Sequence, residues 1–287
     1  MSQKVHRMLK IIANSFKFKN IFKLRNHPLK HFIFYFLILV FIISFPLNYQ
    51  IIKTGGWDLY NFSAGIRQQY PDWLPSELPE DIEISKSGMY FENEVISTFQ
   101  TSNLNGEELN IIFMPFDDYD INNRSLVFET DRIVYYDVDG IQILEVGYSN
   151  IKTVVRFSDL RMTTQADAVS KFATMLDEAF SSYAIFVSVV YYTAITAFLN
   201  LVLILVVSAI FIFVRIRYQK VTNFKENLKI VIASMTIPSL ISFIVGILGV
   251  MEINAFTVVI YQFATPLIAL VAIYKGSKIK EISNKNV

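Results

Sequence analysis

The 287-residue chain contains no cysteine. Disulfide staples, thiolate metal sites and thiol catalysis are therefore excluded, and any folded part must be held by its own core or by its anchors. Histidine is confined to His6, His27 and His31, all within the first 31 residues. A Ser-His-Asp arrangement or a His-ligated zinc site further along is excluded with it. The H-E-x-x-H, G-x-x-x-x-G-K-[ST] and G-x-G-x-x-G motifs are missing as well. Finally, the long apolar runs lack Asp, Glu, His, Lys and Arg. Proton-coupled transport and intramembrane aspartyl or metal-dependent proteolysis need such groups at depth, so both are disfavoured.

Apolar sequence, by contrast, is in excess. The chain is 53% hydrophobic with 25 Phe, and its mean hydropathy is +0.40. It is too apolar for an ordinary soluble protein and too charged to lie wholly in a membrane, so a mixed architecture is expected. The dominant stretch is Tyr183–Val214, uncharged and closed by Arg215 and Arg217. It exceeds the roughly 20 apolar residues that cross a ~30 Å hydrocarbon core. Phe32–Ile52, Ile230–Val250 and Phe256–Tyr274 complete a set of four expected spans.

Charge is sorted along the chain. Residues 1–30 hold eight basic side chains and no acid, whereas residues 49–182 hold 22 acidic against 9 basic, a net of −13. The other basic residues lie in the loop 215–229 and in the tail after Tyr274. Because Lys and Arg near spans resist translocation, the termini and the 215–229 loop are expected in the cytoplasm and the acidic segment outside. The predicted organisation is a cytoplasmic basic segment (1–31), span 32–52, an extracytoplasmic α+β domain (53–182), span 183–214, a cytoplasmic loop (215–229), spans 230–250 and 256–274, and a cytoplasmic tail (275–287). The fold class is thus a membrane protein with a four-helix transmembrane arrangement, one span plus three, and a β-rich α+β extracytoplasmic domain inserted between spans 1 and 2.

The basic lead reads as an amphipathic helix with Val5, Met8, Leu9, Ile12 and Phe16 on one face, suited to the anionic inner leaflet. A nucleic-acid tail and a plain positive-inside flank are the competing readings; the interleaved Phe and Ile favour lipid over nucleic acid. The first span is read as an anchor rather than a cleaved signal, since Phe45-Pro46-Leu47-Asn48-Tyr49 is a poor cleavage site. Gly55-Gly56 then breaks the chain. Leu59, Phe62, Ile66 and Tyr70 fall at helical spacing, with Trp57 and Tyr60 suited to the headgroup level. Pro71, Pro75 and Pro79 read as an extended riser.

From Asp81 to Phe157 the period is two, as in Ile82 and Ile84. Asn105-Gly106 and Asp139-Gly140 sit between strand-like runs as hairpin turns, and Ser125–Glu129 and Asn150–Phe157 add strands. A compact antiparallel sheet of about six strands is expected. Ser158-Asp159 is the expected cap of a helix carrying Val169, Phe172, Met175, Leu176 and Phe180, which packs on the sheet or continues into span 2 as a stalk. Either arrangement would couple the domain rigidly to the spans.

Within the spans, Ser242 and Gly246 form a small-xxx-small pair that predicts a close helix crossing. Pro238 and Pro266 have Ser234, Thr236 and Thr265 nearby to satisfy the freed carbonyls. Asn200 and Gln262 are the polar residues singled out at depth, read as bundle glue ahead of a ligand contact. Asp118, Asp120, Asn122 and Glu129 have the oxygen spacing of a calcium loop, but Glu129 falls on a strand, and an acidic turn is the preferred reading. No metal, cofactor or catalytic residue is assigned.

Phe18–Arg25 leading to Phe45-Pro46, then Leu78-Pro79 with Ile82, Ile84 and Gly88, then Leu126–Asp131 with Ile133, followed by three terminal spans, resemble a Firmicutes integral-membrane family of unknown function, some of whose members are labelled maltodextrose-utilisation protein. The resemblance implies a plasma-membrane protein with one extracytoplasmic domain and, by association, a link to maltodextrin uptake. The expected function is that of a non-enzymatic accessory or regulatory membrane protein. Its expected partners are the lipid bilayer and a membrane protein, such as a sugar-uptake transporter, or an envelope component. Nucleic acid is not among them. The alternative is an oligomeric transporter or channel component gated by the outer domain, with Thr193, Thr196, Asn200 and Ser208 lining a path in a homo-oligomer.

Overall fold

The computed structural model describes residues 3–56, 62–92, 96–102, 105–114, 123–216, 219–248 and 253–285. In chain order the helices are α1 (Gln3–Ser15), α2 (Phe18–Ile21), α3 (Leu29–Thr54), α4 (Phe62–Gln69), α5 (Trp73–Ser76), α6 (Phe157–Arg161), α7 (Gln165–Ile210), α8 (Phe224–Ser234), α9 (Thr236–Leu248) and α10 (Ile253–Lys285). The strands are β1 (Ile82–Ser85), β2 (Gly88–Phe91), β3 (Ser97–Ser102), β4 (Glu108–Phe113), β5 (Ser125–Phe128), β6 (Arg132–Tyr136), β7 (Gln142–Gly147), β8 (Val155–Arg156), β9 (Arg215–Ile216) and β10 (Gln219–Lys220). Two compact units result: a helical one of residues 1–50 and 190–287, and a β-rich one of residues 51–189.

Three stretches, Leu29–Thr54, Gln165–Phe213 and Phe224–Leu248, are long and apolar enough to cross a membrane. With a β-rich region between the first and second, the chain is compatible with a membrane protein carrying an inserted β domain. The fourth expected span, Phe256–Tyr274, is helical as part of α10 but is not one of these three.

In the β-rich unit, alternation does what its period dictates. Ile82 and Ile84 of β1 are buried while Glu83 and Ser85 are less so. The Asn105-Gly106 and Asp139-Gly140 turns join antiparallel pairs β3–β4 and β6–β7, with Gly106 and Gly140 at positive φ. The single antiparallel sheet expected from the sequence is corrected. One sheet has the order β3-β4-β5-β6-β7 with β4 and β5 parallel, and a second has the order β2-β1-β8. A parallel pair cannot be closed by a tight hairpin, and Phe113 and Ser125 are not joined by one, since residues 114–124 separate them in the sequence. The expected strand Asn150–Phe157 shrinks to β8, because Tyr148–Asn150 forms a 3-10 turn and Phe157 starts α6.

Two further expectations are revised here. The proline-spaced segment is not an extended riser: it folds into α5 with a cis Leu74-Pro75 bond, and Trp73, Leu74 and Leu78 are buried. Three large apolar side chains in nine residues favour the core, at about 1.5–3 kcal/mol each on burial. The long helix is capped not by Ser158-Asp159 but by Thr164, whose hydroxyl accepts from Asp167 N at 3.2 Å and donates to Asp167 Oδ2 at 2.9 Å. From there α7 runs unbroken to Ile210, and Val169, Phe172, Met175, Leu176 and Phe180 enter the core as expected. Phe172 is fully buried among the rings of Trp73, Phe113, Phe128 and Phe157. Gly56, at φ +86, stands against the backbone of Ala184, where a Cβ would approach to 2.5 Å.

In the helical unit, α1 turns Ile11 and Ser15 inward and leaves Leu9 and Phe16 of the expected apolar face exposed. Ile11 joins Phe22, Phe32 and Tyr35 in the core, so packing within the chain sets the rotation. Helix α8 begins at Phe224, earlier than the expected span at 230, because Asn223 and Glu226 form a reciprocal cap: Glu226 N donates to Asn223 Oδ1 at 2.9 Å and Asn223 N to Glu226 Oε2 at 3.0 Å. The third span is broken at Met235. Pro238 cannot donate to the Ser234 carbonyl, and Thr236 Oγ1, which donates to Ala233 O at 2.8 Å, shares a 2.6 Å hydrogen bond with Tyr35 Oη. The crossing foreseen at Ser242 and Gly246 exists: a Cβ on Gly246 would come within 2.6 Å of the Pro46 ring of α3.

Trp57, Tyr60, Leu59, Asp118, Asp120, Asn122 and Glu252 lie outside the described residues.

Candidate functional site

Among the described residues, two places combine open volume with polar groups that lack partners. The first is in the helical unit. A cavity of about 160 Å³ is lined by Pro46, Leu47, Tyr192, Thr196, Asn200, Ser242, Tyr261 and Gln262, among others. The two polar residues singled out from the sequence, Asn200 and Gln262, thus share one cavity. Asn200 Nδ2 donates to Thr196 O at 2.8 Å, one turn back on its own helix. Tyr261 Oη, buried beside Ser239, has no hydrogen-bond partner among the described residues. Neighbouring Asn48 donates from Nδ2 to Thr193 Oγ1 at 2.9 Å, while its Oδ1 lacks a partner. Sequence reading passed over Asn48; the signal available was an amide near the end of an apolar run.

The stripe Thr193, Thr196, Asn200 and Ser208 does not face outward for a homo-oligomer to use. Thr196, Asn200 and Ser208 are buried inside their own helical unit and Thr193 is engaged by Asn48. Ser234 and Thr236 donate to the carbonyls of Ile230 and Ala233 rather than to the Ser234 carbonyl that Pro238 leaves free. The buried Thr265 hydroxyl, beside Pro266, has no partner among the described residues.

The second place is in the β-rich unit and was not foreseen. α4 ends at Gln69, and Tyr70 takes a left-handed φ of +48. The turn is held by Gln165 Nε2, which donates to Tyr70 O at 2.9 Å and Pro71 O at 3.3 Å. Segment 69–77 thereby runs beside β3, the first strand of the five-stranded sheet. Trp73 stacks on Phe99 of β3 with centroids 4.8 Å apart. Between segment and strand lies an open groove of about 410 Å³, walled by Gln69, Asp72, Trp73 and Glu77 on one side and Thr98–Thr101 on the other. Two of its lining residues, Trp73 and Thr101, carry buried polar atoms without a hydrogen-bond partner among the described residues, Nε1 and Oγ1. A buried unpaired donor costs about 1–3 kcal/mol, so such atoms ask for an explanation.

The remaining buried acid, Glu129, is structural. Its carboxylate takes the Arg132 guanidinium at 2.5 Å and its carbonyl accepts from Tyr148 Oη at 2.7 Å. Burial pushes the Tyr148 phenol well above its ordinary range, with the charges of Glu129 and Asp131 adding to the shift. The Glu129 hydrogen bond raises Arg132 in turn. Of the proposed calcium ligands, then, Glu129 is already committed to Arg132. Among the described residues no three His, Cys, Asp or Glu side chains group as a metal site.

A family model described as a protein of unknown function, DUF1189, matches residues 9–273. The chain belongs to the DUF1189 family. No curated protein and no solved structure matches it. For this DUF1189 protein the two sites differ in chemistry. The helical cavity is small and mostly apolar, walled by Ile43, Ile195, Leu199 and Leu203 with a few hydroxyls and amides among them, whereas the β3 groove is open and carries Asp72 and Glu77 on one wall.

Proposed function

We propose that this DUF1189 chain is a multi-pass plasma-membrane accessory or regulatory protein, without enzymatic activity, whose β-rich unit lies outside the cell and binds a protein or an envelope component. The observation that carries this reading is the groove between segment 69–77 and β3, an open recess on a unit with its own aromatic core. The acidic balance of residues 49–182 and the basic flanks support an outside location for that unit, with four spans and both termini in the cytoplasm. Helix α7, common to the β-rich unit and the second span, is the element through which a bound state would be passed inward. The link to maltodextrin uptake, and with it a sugar-uptake transporter as membrane partner, rests on the resemblance carried by Phe18–Arg25, Leu78-Pro79 and Leu126–Asp131.

Photo-crosslinkers placed at Gln100 and Glu77 in the full chain in its native membrane test the reading. One defined species captured at both positions is expected, and capture no different from that of a crosslinker at exposed Met162 defeats it. A second reading, a transport component gated by the outer unit, is favoured by the cavity that brings Asn200, Tyr261 and Gln262 together among apolar side chains. Flux in proteoliposomes containing this protein alone, reduced in Asn200→Leu, would establish it.

A further inference from the structure

The β3 edge shows which way its backbone points. Ser102 N donates to the side-chain oxygen of Gln69 at 3.1 Å rather than to β4, although Ser102 lies opposite Glu108 in the register. In an antiparallel ladder, N–H and C=O groups alternate between the paired side and the free side with a period of two. Ser102 pointing away from β4 therefore turns the N–H and C=O of Gln100 and Thr98 the same way, into the groove both residues line. The Gln69 amide oxygen already occupies, at Ser102, the place that a carbonyl of an added strand would take. One rung of an absent strand is thus filled by a side chain, and among the described residues the next two rungs are open.

We infer that the groove binds an extended polypeptide segment that adds to the sheet as a strand antiparallel or parallel to β3, with a basic side chain set between Asp72 and Glu77. This deepens the proposed function, resting on the reading of the β-rich unit as a binding unit, and names the partner class. Main-chain hydrogen bonds from Thr98 and Gln100 supply affinity, as in other recognition by strand addition, and flanking pockets supply selection. The two carboxylates on the wall select for Lys or Arg over Asp or Glu in the bound segment. The edge is also otherwise undefended: Ser97–Ser102 carries no lysine, no proline and no inward charge, the usual devices that keep a strand edge from pairing. A glycan, which lacks alternating amides, would make no use of that backbone register.

The test uses the full-length chain in lipid nanodiscs, panned against a displayed library of random heptapeptides. Enriched peptides are expected to carry Lys or Arg, and their affinity is expected to fall about tenfold or more for Gln100→Pro, which removes one backbone donor. Proline is tolerated on a sheet edge where its missing N–H faces away from the ladder, so the melting temperature should hold. Gln100→Ala, which keeps the N–H, should bind within about twofold of wild type, a change far smaller than loss of a hydrogen bond. Should Gln100→Pro unfold, the same question is asked of the wild-type chain with peptides N-methylated at alternate amides, one frame of which must abolish binding. The inference is overturned if no enriched peptide is sensitive to Gln100→Pro or N-methylation, if Gln100→Ala weakens binding as much as proline, or if the only ligand retained is a neutral oligosaccharide added in parallel. A crosslinked native partner whose capture is indifferent to Gln100→Pro would overturn strand addition while leaving the binding-unit reading intact.

Discussion

Buried groups in the helical unit and in the β-rich unit solve different problems. In the helical unit, Ser15, Ser44, Asn200, Ser234, Thr236 and Ser239 all donate to carbonyls three or four residues back, the first four on their own helices and Thr236 and Ser239 across the break at Met235. Where no water is at hand, a hydroxyl satisfied by its own helix costs little and leaves that helix free to pack by shape, as Gly246 does on Pro46. The β-rich unit buries rings instead: Phe62 on Tyr135, Trp73 on Phe99, Phe113 on Phe128, with Phe172 of α7 touching four aromatic neighbours. There the driving force is removal of apolar area from water. The difference predicts that the two units will respond to different kinds of substitution.

The largest effect is expected at the ring cluster. Phe172→Ala should destabilise the β-rich unit by about 3–5 kcal/mol, read as accelerated proteolysis within residues 62–180 of the full chain in micelles. A loss below about 1 kcal/mol would erase the contrast, since that is what an exposed site gives. Next comes shape in the helical unit, where Gly246→Leu should cost about 1–3 kcal/mol in denaturant titration of helicity. Pro46→Gly in the same chain, which removes both ring carbons that a side chain at 246 would meet, should recover part of it, because neighbouring sites are not additive.

Polar contacts in the β-rich unit rank lower. Tyr148→Phe removes the hydrogen bond to Glu129 O and should cost about 1 kcal/mol. Since the folded-state value of Tyr148 is raised, its neutral form is favoured by folding. That contribution is complete below the unfolded value of about 10 and is lost as pH rises beyond it, so the gap between wild type and Tyr148→Phe should stay constant to about pH 10 and narrow above. Smallest is Arg67→Ala. The Arg67–Asp177 pair, 2.6 Å long but 43% exposed on both sides, should contribute less than about 1 kcal/mol and still less in high salt.

How much of this was readable in advance follows the same division. The hairpins at Asn105-Gly106 and Asp139-Gly140 were legible because turn chemistry is local, and β1 because its alternation is. The cap of α7 was equally local but was placed at Ser158-Asp159, since both that pair and Thr164-x-x-Asp167 satisfy the same rule and only packing decides between them. Asn200 and Gln262 stood out as amides in apolar runs, but nothing in their spacing announced that Tyr261 belonged with them. The β3 groove was illegible for a physical reason: it is defined by a side chain, Gln69, meeting a backbone group, Ser102 N, across 33 residues. Neither residue type carries a periodic signal. The parallel pairing of β4 with β5 escaped similarly, because strand direction depends on where a connection goes and not on the strand's own composition.

The seat of Gly246 on the Pro46 ring links two positions 200 residues apart into a single heritable character. The nearest ring atom is the Pro46 Cβ, which every residue but glycine carries, so exchanging the proline alone would not release position 246. Among relatives of this chain, 246 should stay glycine wherever 46 keeps a side chain.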